Sequence, residues 1–166
     1  WYKITFECGE DLYEPFFHPN DVALEGCSRP NGVQLVEFDE ERALLTKGGG
    51  RGLVVFYHGN GESACNWRFL GVNHVSKLGY DTLVVEYPGY SADPREAGPS
   101  ADLMKHTVVK THKWAKARYK HIAVMGFSLG TGVAAYHAEL GGLTRIALFA
   151  PYQSLFELAQ SKGYPF

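Results

Sequence analysis

Gly126-Phe127-Ser128-Leu129-Gly130 lies between an apolar run, His121-Ile122-Ala123-Val124-Met125, and a small-residue segment from Thr131 to Ala138. The order is strand, G-x-S-x-G, helix. A serine held in a tight turn between strand and helix projects its Oγ into the open. Glycines on both sides let the helix and the neighbouring strand pass close to the turn, where a Cβ would collide. The helix N-terminus beside Ser128 favours negative charge developing there. A glycine-rich chain also produces this pattern by chance; the strand before it and the helix after it argue against chance.

Outward from this stretch, strand and helix signals alternate. Leu53-Val54-Val55-Phe56-Tyr57 is a continuous apolar run, as in a strand buried on both faces of a parallel sheet. A helix fits residues 64–78, with Trp67, Leu70, Gly71, His74, Val75 and Leu78 at helical spacing and Gly79 as its stop. Asp81 to Glu86 reads as the next strand. Ser100 caps a helix reaching about Tyr119, whose inner face carries Leu103, Met104, Thr107, Val108, Thr111, Trp114 and Ala115. The helix after Ser128 runs to Leu140, Gly141-Gly142 stops it, and Arg145 to Phe149 is a further strand. This alternation predicts right-handed crossovers and a mostly parallel sheet with helices on both faces.

Ahead of the alternation, Val33 to Phe38 predicts an antiparallel strand and Asp39-Glu40-Glu41-Arg42 a polar turn. Ala43-Leu44-Leu45-Thr46 is a return strand, and Lys47 to Gly52 a flexible surface loop with the look of a hairpin connection. Residues 1–32 read as an irregular lead-in, broken by Pro15, Pro19, Gly26 and Pro30, with a turn at Asn31-Gly32 and Tyr13, Phe16 and Phe17 packing on the flank. Residues 92–99 form a proline-containing excursion. The reading is of a single α/β domain over residues 1–166.

Composition bounds the function classes. The 166 residues are 45% hydrophobic and 20% charged, which suits a packed core. A net charge of −2 gives no electrostatic case for nucleic acid or an anionic membrane surface. No apolar run approaches the ~20 residues that span a bilayer. Cys8, Cys27 and Cys65 have no metal-ligand spacing, and no metal or cofactor site is expected. Cys8 and Cys27 are one possible pair; buried free thiols in a reducing compartment are the favoured expectation. With no signal-like or membrane-spanning stretch in the sequence, the location is left open, the cytoplasm being favoured.

In a parallel sheet, ligands bind at the carboxyl ends of the strands. Three loops lie at such ends: residues 58–63, 87–91 and 126–130. Acyl transfer at Ser128 needs amides aimed at the oxyanion. One is the N–H of Leu129, the residue after the nucleophile. The other is assigned to Asn60 in His58-Gly59-Asn60-Gly61, where two glycines let the backbone turn its amides towards the serine. Asn-Gly is also a common turn dipeptide, so the loop alone proves little. Gly126 and Gly130 shape the serine turn, as Gly59 and Gly61 shape the facing loop. His58 is expected to hydrogen-bond within its own loop and hold that backbone. His74 and His106 fall on helices, and His121 at the opposite end of the strand. His137 is nine residues beyond Ser128, about 13 Å along the helix at 1.5 Å per residue. Glu86 ends a strand near the site, as a satisfied carboxylate or a residue that orients loops.

The set Tyr57-His58-Gly59-Asn60-Gly61-Glu62, Glu86-Tyr87-Pro88-Gly89-Tyr90 and Gly126-Phe127-Ser128-Leu129-Gly130-Thr131-Gly132-Val133-Ala134 resembles the successive landmarks of α/β-hydrolase serine hydrolases. The branch it looks most like holds lysophospholipid and monoacylglycerol lipases and protein depalmitoylases. Ala150-Pro151-Tyr152-Gln153-Ser154-Leu155 resembles the family's next segment, and the likeness runs over residues 33–166. Glu86 departs from the aspartate usual there, and Ser91-Ala92-Asp93 from the usual glycine-rich continuation. The resemblance implies ester or thioester hydrolysis of a lipid-like substrate through an acyl-enzyme on Ser128. It also implies a Ser, acid, His order. After Ser128 the acids are Glu139 and Glu157 and the one histidine is His137, before both, so no triad acid or base can be drawn from this chain. Three expectations compete: a piece of a larger hydrolase, a natively short binding or assembly module, or a triad completed by another chain. In the second, a partner or a second copy covers the sheet edge after Arg145–Phe149.

Overall fold

The structure, a computed structural model, describes residues 16–20, 22–28, 32–91 and 98–163. Tyr13, Asn31, Cys8 and most of the excursion at 92–99 therefore lie outside the described residues. Six strands form one sheet: β1 (Val33–Phe38), β2 (Glu41–Thr46), β3 (Leu53–Tyr57), β4 (Asp81–Val85), β5 (Ile122–Phe127) and β6 (Arg145–Phe149). Their spatial order is β1-β2-β4-β3-β5-β6. β1, β2 and β4 pair antiparallel, whereas β4–β3, β3–β5 and β5–β6 are parallel. The expected α/β architecture, mostly parallel with antiparallel N-terminal strands, is the one observed.

Strand periodicity divides the core in two. Ala43, Leu45, Val55, Tyr57, Leu83 and Val85 face one way, packing with Met104 and Val108 of α2 (Ala101–Lys116) and Val133 of α3 (Leu129–Glu139). Leu44, Phe56 and Val84, the alternate positions, face the other way, against Ala64 and Cys65 of a helix starting at Ala64 and against Leu24 and Cys27 of a short 3-10 turn. Both faces of β3 and β4 are thus buried, which is why β3 reads as an unbroken apolar run. Each such side chain contributes about 1.5–3 kcal/mol by leaving water. Ser100, in extended backbone at φ −145°, accepts a hydrogen bond from Leu103 N and starts α2 as expected.

Several local expectations are corrected. The turn between β1 and β2 is two residues, Asp39 and Glu40, both left-handed at φ 47° and 69°. Glu41 and Arg42 therefore belong to β2 and are buried. Partners make that possible: Glu41 accepts from Thr107 Oγ1 at 2.7 Å and Lys110 Nζ at 3.0 Å, and Arg42 pairs with Glu25 at 2.6 Å. Residues 47–52 are no hairpin connection, because β2 pairs with β4 and the chain crosses over to reach β3. The loop is pinned by Asp81, whose carboxylate accepts from Gly48 N, Gly50 N and Lys47 Nζ.

The helix expected over 64–78 is α1 (Ala64–Leu70) continued by a π-helical turn at Gly71–Val75 and a 3-10 turn at Ser76–Leu78, ending at Gly79 with φ 84°. The wider turn rotates the helix face, so His74 and Leu78 are exposed although a 3.6-residue period puts them inside. The last described helix is α4 (Leu155–Ser161). The cysteine expectation is also overturned: Cys27 and Cys65 form a disulfide with Cα atoms 5.6 Å apart. The two meet across 38 positions because the 3-10 turn packs on α1, a contact invisible in spacing. The expectation of a reducing compartment rested on free thiols and loses that support. Among the described residues, no helix is long and apolar enough to cross a membrane.

Candidate active site

β3, β4 and β5 run parallel, so their C-terminal ends open on one side of the sheet and the three loops meet there. Ser128 occupies the sharp turn from β5 into α3 at φ 49°, ψ −117°. For a residue with a side chain this backbone costs on the order of 1–3 kcal/mol, which the surroundings must offset. Ser128 N donates to Phe149 O at 2.9 Å, and Ser128 O accepts from Thr131 N and Thr131 Oγ1. The flanking glycines are required by proximity. A Cβ on Gly126 would lie 2.2 Å from Gly130 O, and one on Gly130 would lie 2.1 Å from Tyr57 O. Only two hydrogens at these Cα atoms let α3 start this close to β3 and β5.

Ser128, Asn60 and Leu129 line one pocket of about 320 Å³. Phe16 and His18 contribute from the N-terminal segment, Leu158 and Lys162 from α4 and the turn after it. The Asn60 loop is held in three ways. Glu62 Oε2 accepts from Gly59 N at 2.7 Å and from Trp67 Nε1 at 2.8 Å. Gly61 takes φ 74°, and a Cβ on Gly59 would press on Glu62 and Phe127. Asn60 Oδ1 accepts from Tyr90 OH and His18 N, and its Nδ2 donates to Phe16 O.

Behind the loop, His58 is fully buried. Its Nδ1 faces Gly59 O at 2.9 Å and its Nε2 faces Glu86 Oε1 at 2.7 Å. Both ring edges are occupied, leaving no nitrogen for Ser128. Glu86 connects the loops: Oε1 also accepts from Tyr87 N, and Oε2 from Ala64 N and Ser91 Oγ. Tyr87 OH donates to His58 O at 2.8 Å. Tyr87 and Tyr90 are therefore buried loop braces, Trp67 packs at a tilt on Phe56 and Phe127, and Tyr152 OH donates to Leu129 O. The aromatic residues of the sequence pattern support the pocket from behind.

His137 is buried towards the C-terminal end of α3 and is not among the residues that line the pocket. Its Nδ1 is 2.9 Å from Tyr57 OH, and its Nε2 is 3.1 Å from His112 Nδ1. Burial, reinforced by the neighbouring His112, pushes His137 down to about 3. His74, His106 and His121 are exposed elsewhere. Phe16, His18, Leu158 and Lys162 are pocket residues that no sequence signal marked. Phe16 and His18 contact Asn60 over 44 and 42 positions, so no local period reports them. No group of three or more potential metal ligands occurs among the described residues.

A serine in a left-handed strand-to-helix turn, at the carboxyl end of a mostly parallel sheet and facing a glycine-shaped loop, defines an α/β-hydrolase fold. Residues 52–144 match the family described as alpha/beta hydrolase fold, and the chain belongs to it. No curated protein sequence matches the chain. Among solved structures it is similar to an epoxide hydrolase from an endophytic Streptomyces, with 24% identity over 70% of this chain and 36% of that one, TM-score 0.54. It is also similar to a deformylase from Pseudomonas putida S16, with 21% identity over 70% and 45%, TM-score 0.54. An esterase from Pyrococcus furiosus shows 19% identity over 70% and 50%, TM-score 0.53. The chain thus spans half or less of the length of these three structures.

Proposed function

We propose that this chain carries the nucleophile and oxyanion half of a serine hydrolase acting on carboxylic esters or thioesters of lipid-like substrates. The observation that carries the reading is Ser128 at φ 49° beside Asn60 and Leu129 in one pocket. A strained, half-buried serine has no use in a scaffold. Ser128 Oγ attacks the carbonyl, the amides of Asn60 and Leu129 hold the oxyanion, and the alcohol or thiol leaves. Water then releases the acyl group from Ser128. The Ser, acid, His order that the resemblance implies assigns the base to a histidine outside these 166 residues; His58 and His137 are engaged elsewhere. No cofactor or metal is assigned a role. A lipase- or depalmitoylase-like substrate rests on the motif resemblance and on the apolar Phe16, Leu129 and Leu158 in the lining.

The test is fluorophosphonate labelling of the full-length protein, followed by turnover of p-nitrophenyl esters and acyl thioesters. Label on Ser128 that Ser128→Ala abolishes is the expected result; label persisting in that variant refutes the assignment. A second reading, a binding or assembly module, is favoured by β6, where Ile146 is 44% and Phe149 50% exposed. It predicts no label and a dimer or complex by light scattering.

A further inference from the structure

The Asn60 side chain is bonded more heavily than a turn residue requires. Its carboxamide reaches segment 16–18 twice: Nδ2 donates to Phe16 O at 2.6 Å and Oδ1 accepts from His18 N at 2.8 Å. One amide donor and one amide acceptor meeting residues two apart in a segment is how a neighbouring parallel strand pairs. The side chain here stands in for a backbone peptide group. Tyr90 OH supplies a third bond at 2.9 Å. The segment is itself fixed beyond that point. Asn20 O accepts from Ser91 N at 2.8 Å, Glu25 pairs with Arg42, and Cys27 is bonded to Cys65. Phe16 and Phe17 are buried in the core that holds Tyr87 and Tyr90.

We infer that Asn60 is a positioning residue and that residues 16–20 and 22–27 are its fixed support. With both ends of the carboxamide held, the Asn60 side-chain torsions are set, and with them the backbone that carries its amide N–H. The same segment puts Phe16 and His18 on the wall of the serine pocket. The inference rests on the reading of Ser128 as nucleophile and explains why asparagine stands at residue 60. Glycine or alanine would offer the same N–H with nothing to aim it.

The experiment uses the full-length protein, with Asn60→Ala and Asn60→Asp. Aspartate keeps the acceptor for His18 N and Tyr90 OH but loses the donor to Phe16 O. Three readouts are taken: fluorophosphonate labelling rate, kcat and KM for p-nitrophenyl acetate and butyrate, and amide exchange over residues 16–20. Asn60→Ala is expected to lower kcat about 10- to 100-fold, with KM within about 3-fold, and to speed exchange over 16–20. Asn60→Asp is expected to speed exchange less. Faster exchange with wild-type kcat overturns the positioning role. Lost kcat with unchanged exchange overturns the support. A wild-type protein that takes no label and hydrolyses neither ester overturns the functional reading instead; exchange over 16–20 then decides by itself whether Asn60 holds the segment.

Discussion

The Cys27–Cys65 disulfide makes the sharpest prediction. It closes a loop spanning 38 positions, from the 3-10 turn to α1. In the chain-entropy account, a loop of that length removes about 4 kcal/mol of conformational freedom from the unfolded state at 25 °C. Both cysteines are buried against Leu24, Phe56 and Val84, so the native packing holds the turn on α1 with or without the bond. Cys27→Ala/Cys65→Ala is therefore expected to fold, and to unfold in urea at a midpoint about 2 M lower, for a slope of about 2 kcal/mol/M. The assay is urea denaturation followed by far-UV circular dichroism, on the wild type before and after reduction and on the double variant. Reduced wild type and double variant should agree. Alkylation without reduction should spare Cys27 and Cys65. A midpoint shift below about 0.5 M refutes the stabilisation. Modification of all three cysteines without reduction, or a peptide linking Cys8 to Cys27, refutes the pairing itself.

Other expectations concern the serine turn and the acid limb. Gly130→Ala forces a Cβ to within 2.1 Å of Tyr57 O, so α3 must retreat from β3. Thermal melting should show a loss of about 1–3 kcal/mol or more, with Ser128 labelling slowed at least 10-fold; a wild-type labelling rate would contradict this. Burial pushes the Asp81 carboxyl up, but Gly48 N, Lys47 and Tyr119 outweigh it and hold it at about 2. Its folded value lies below the unfolded 3.8, so its stabilisation is present above that value and is lost as pH falls towards 2. Asp81→Asn should remove about 2 kcal/mol at pH 7 and little at pH 2, measured by urea unfolding at both. His137 stays neutral in the fold down to about 3, whereas the unfolded chain takes the proton near 6.5. Stability should therefore decline as pH falls from 6.5 towards 3, and His137→Gln should flatten that slope; an unchanged slope would exclude His137 as its source.

Much of this fold was written in local pattern. The unbroken run Leu53–Tyr57 announced a strand covered on both faces, Ser100 announced α2, and Gly126 and Gly130 announced a turn where helix and strands crowd together. These features depend on neighbours in sequence or on one residue type, so the chain states them directly. The alternation of Leu44 with Ala43 and Leu45 even assigns side chains to the two cores. The limits were equally physical. That β2 pairs with β4, that Glu41 and Arg42 are buried as strand residues, and that Cys27 finds Cys65 all depend on partners 17 to 69 positions away. A charged pair reads as a polar turn until the partner that neutralises it is seen. The π-turn at Gly71–Val75 likewise shifts a helix face without any change in composition.

For the site, the sequence by itself determined the sharp serine turn, because strain and close approach leave a glycine–serine–glycine signature. It determined too that a glycine-shaped loop comes after β3. Only the tertiary structure decided what stands around them: His58 held on both edges by Gly59 and Glu86, Asn60 held by Phe16 and His18, and His137 turned away onto Tyr57. Hydrogen bonds and burial join residues the chain keeps far apart, and no spacing rule records which of them will meet.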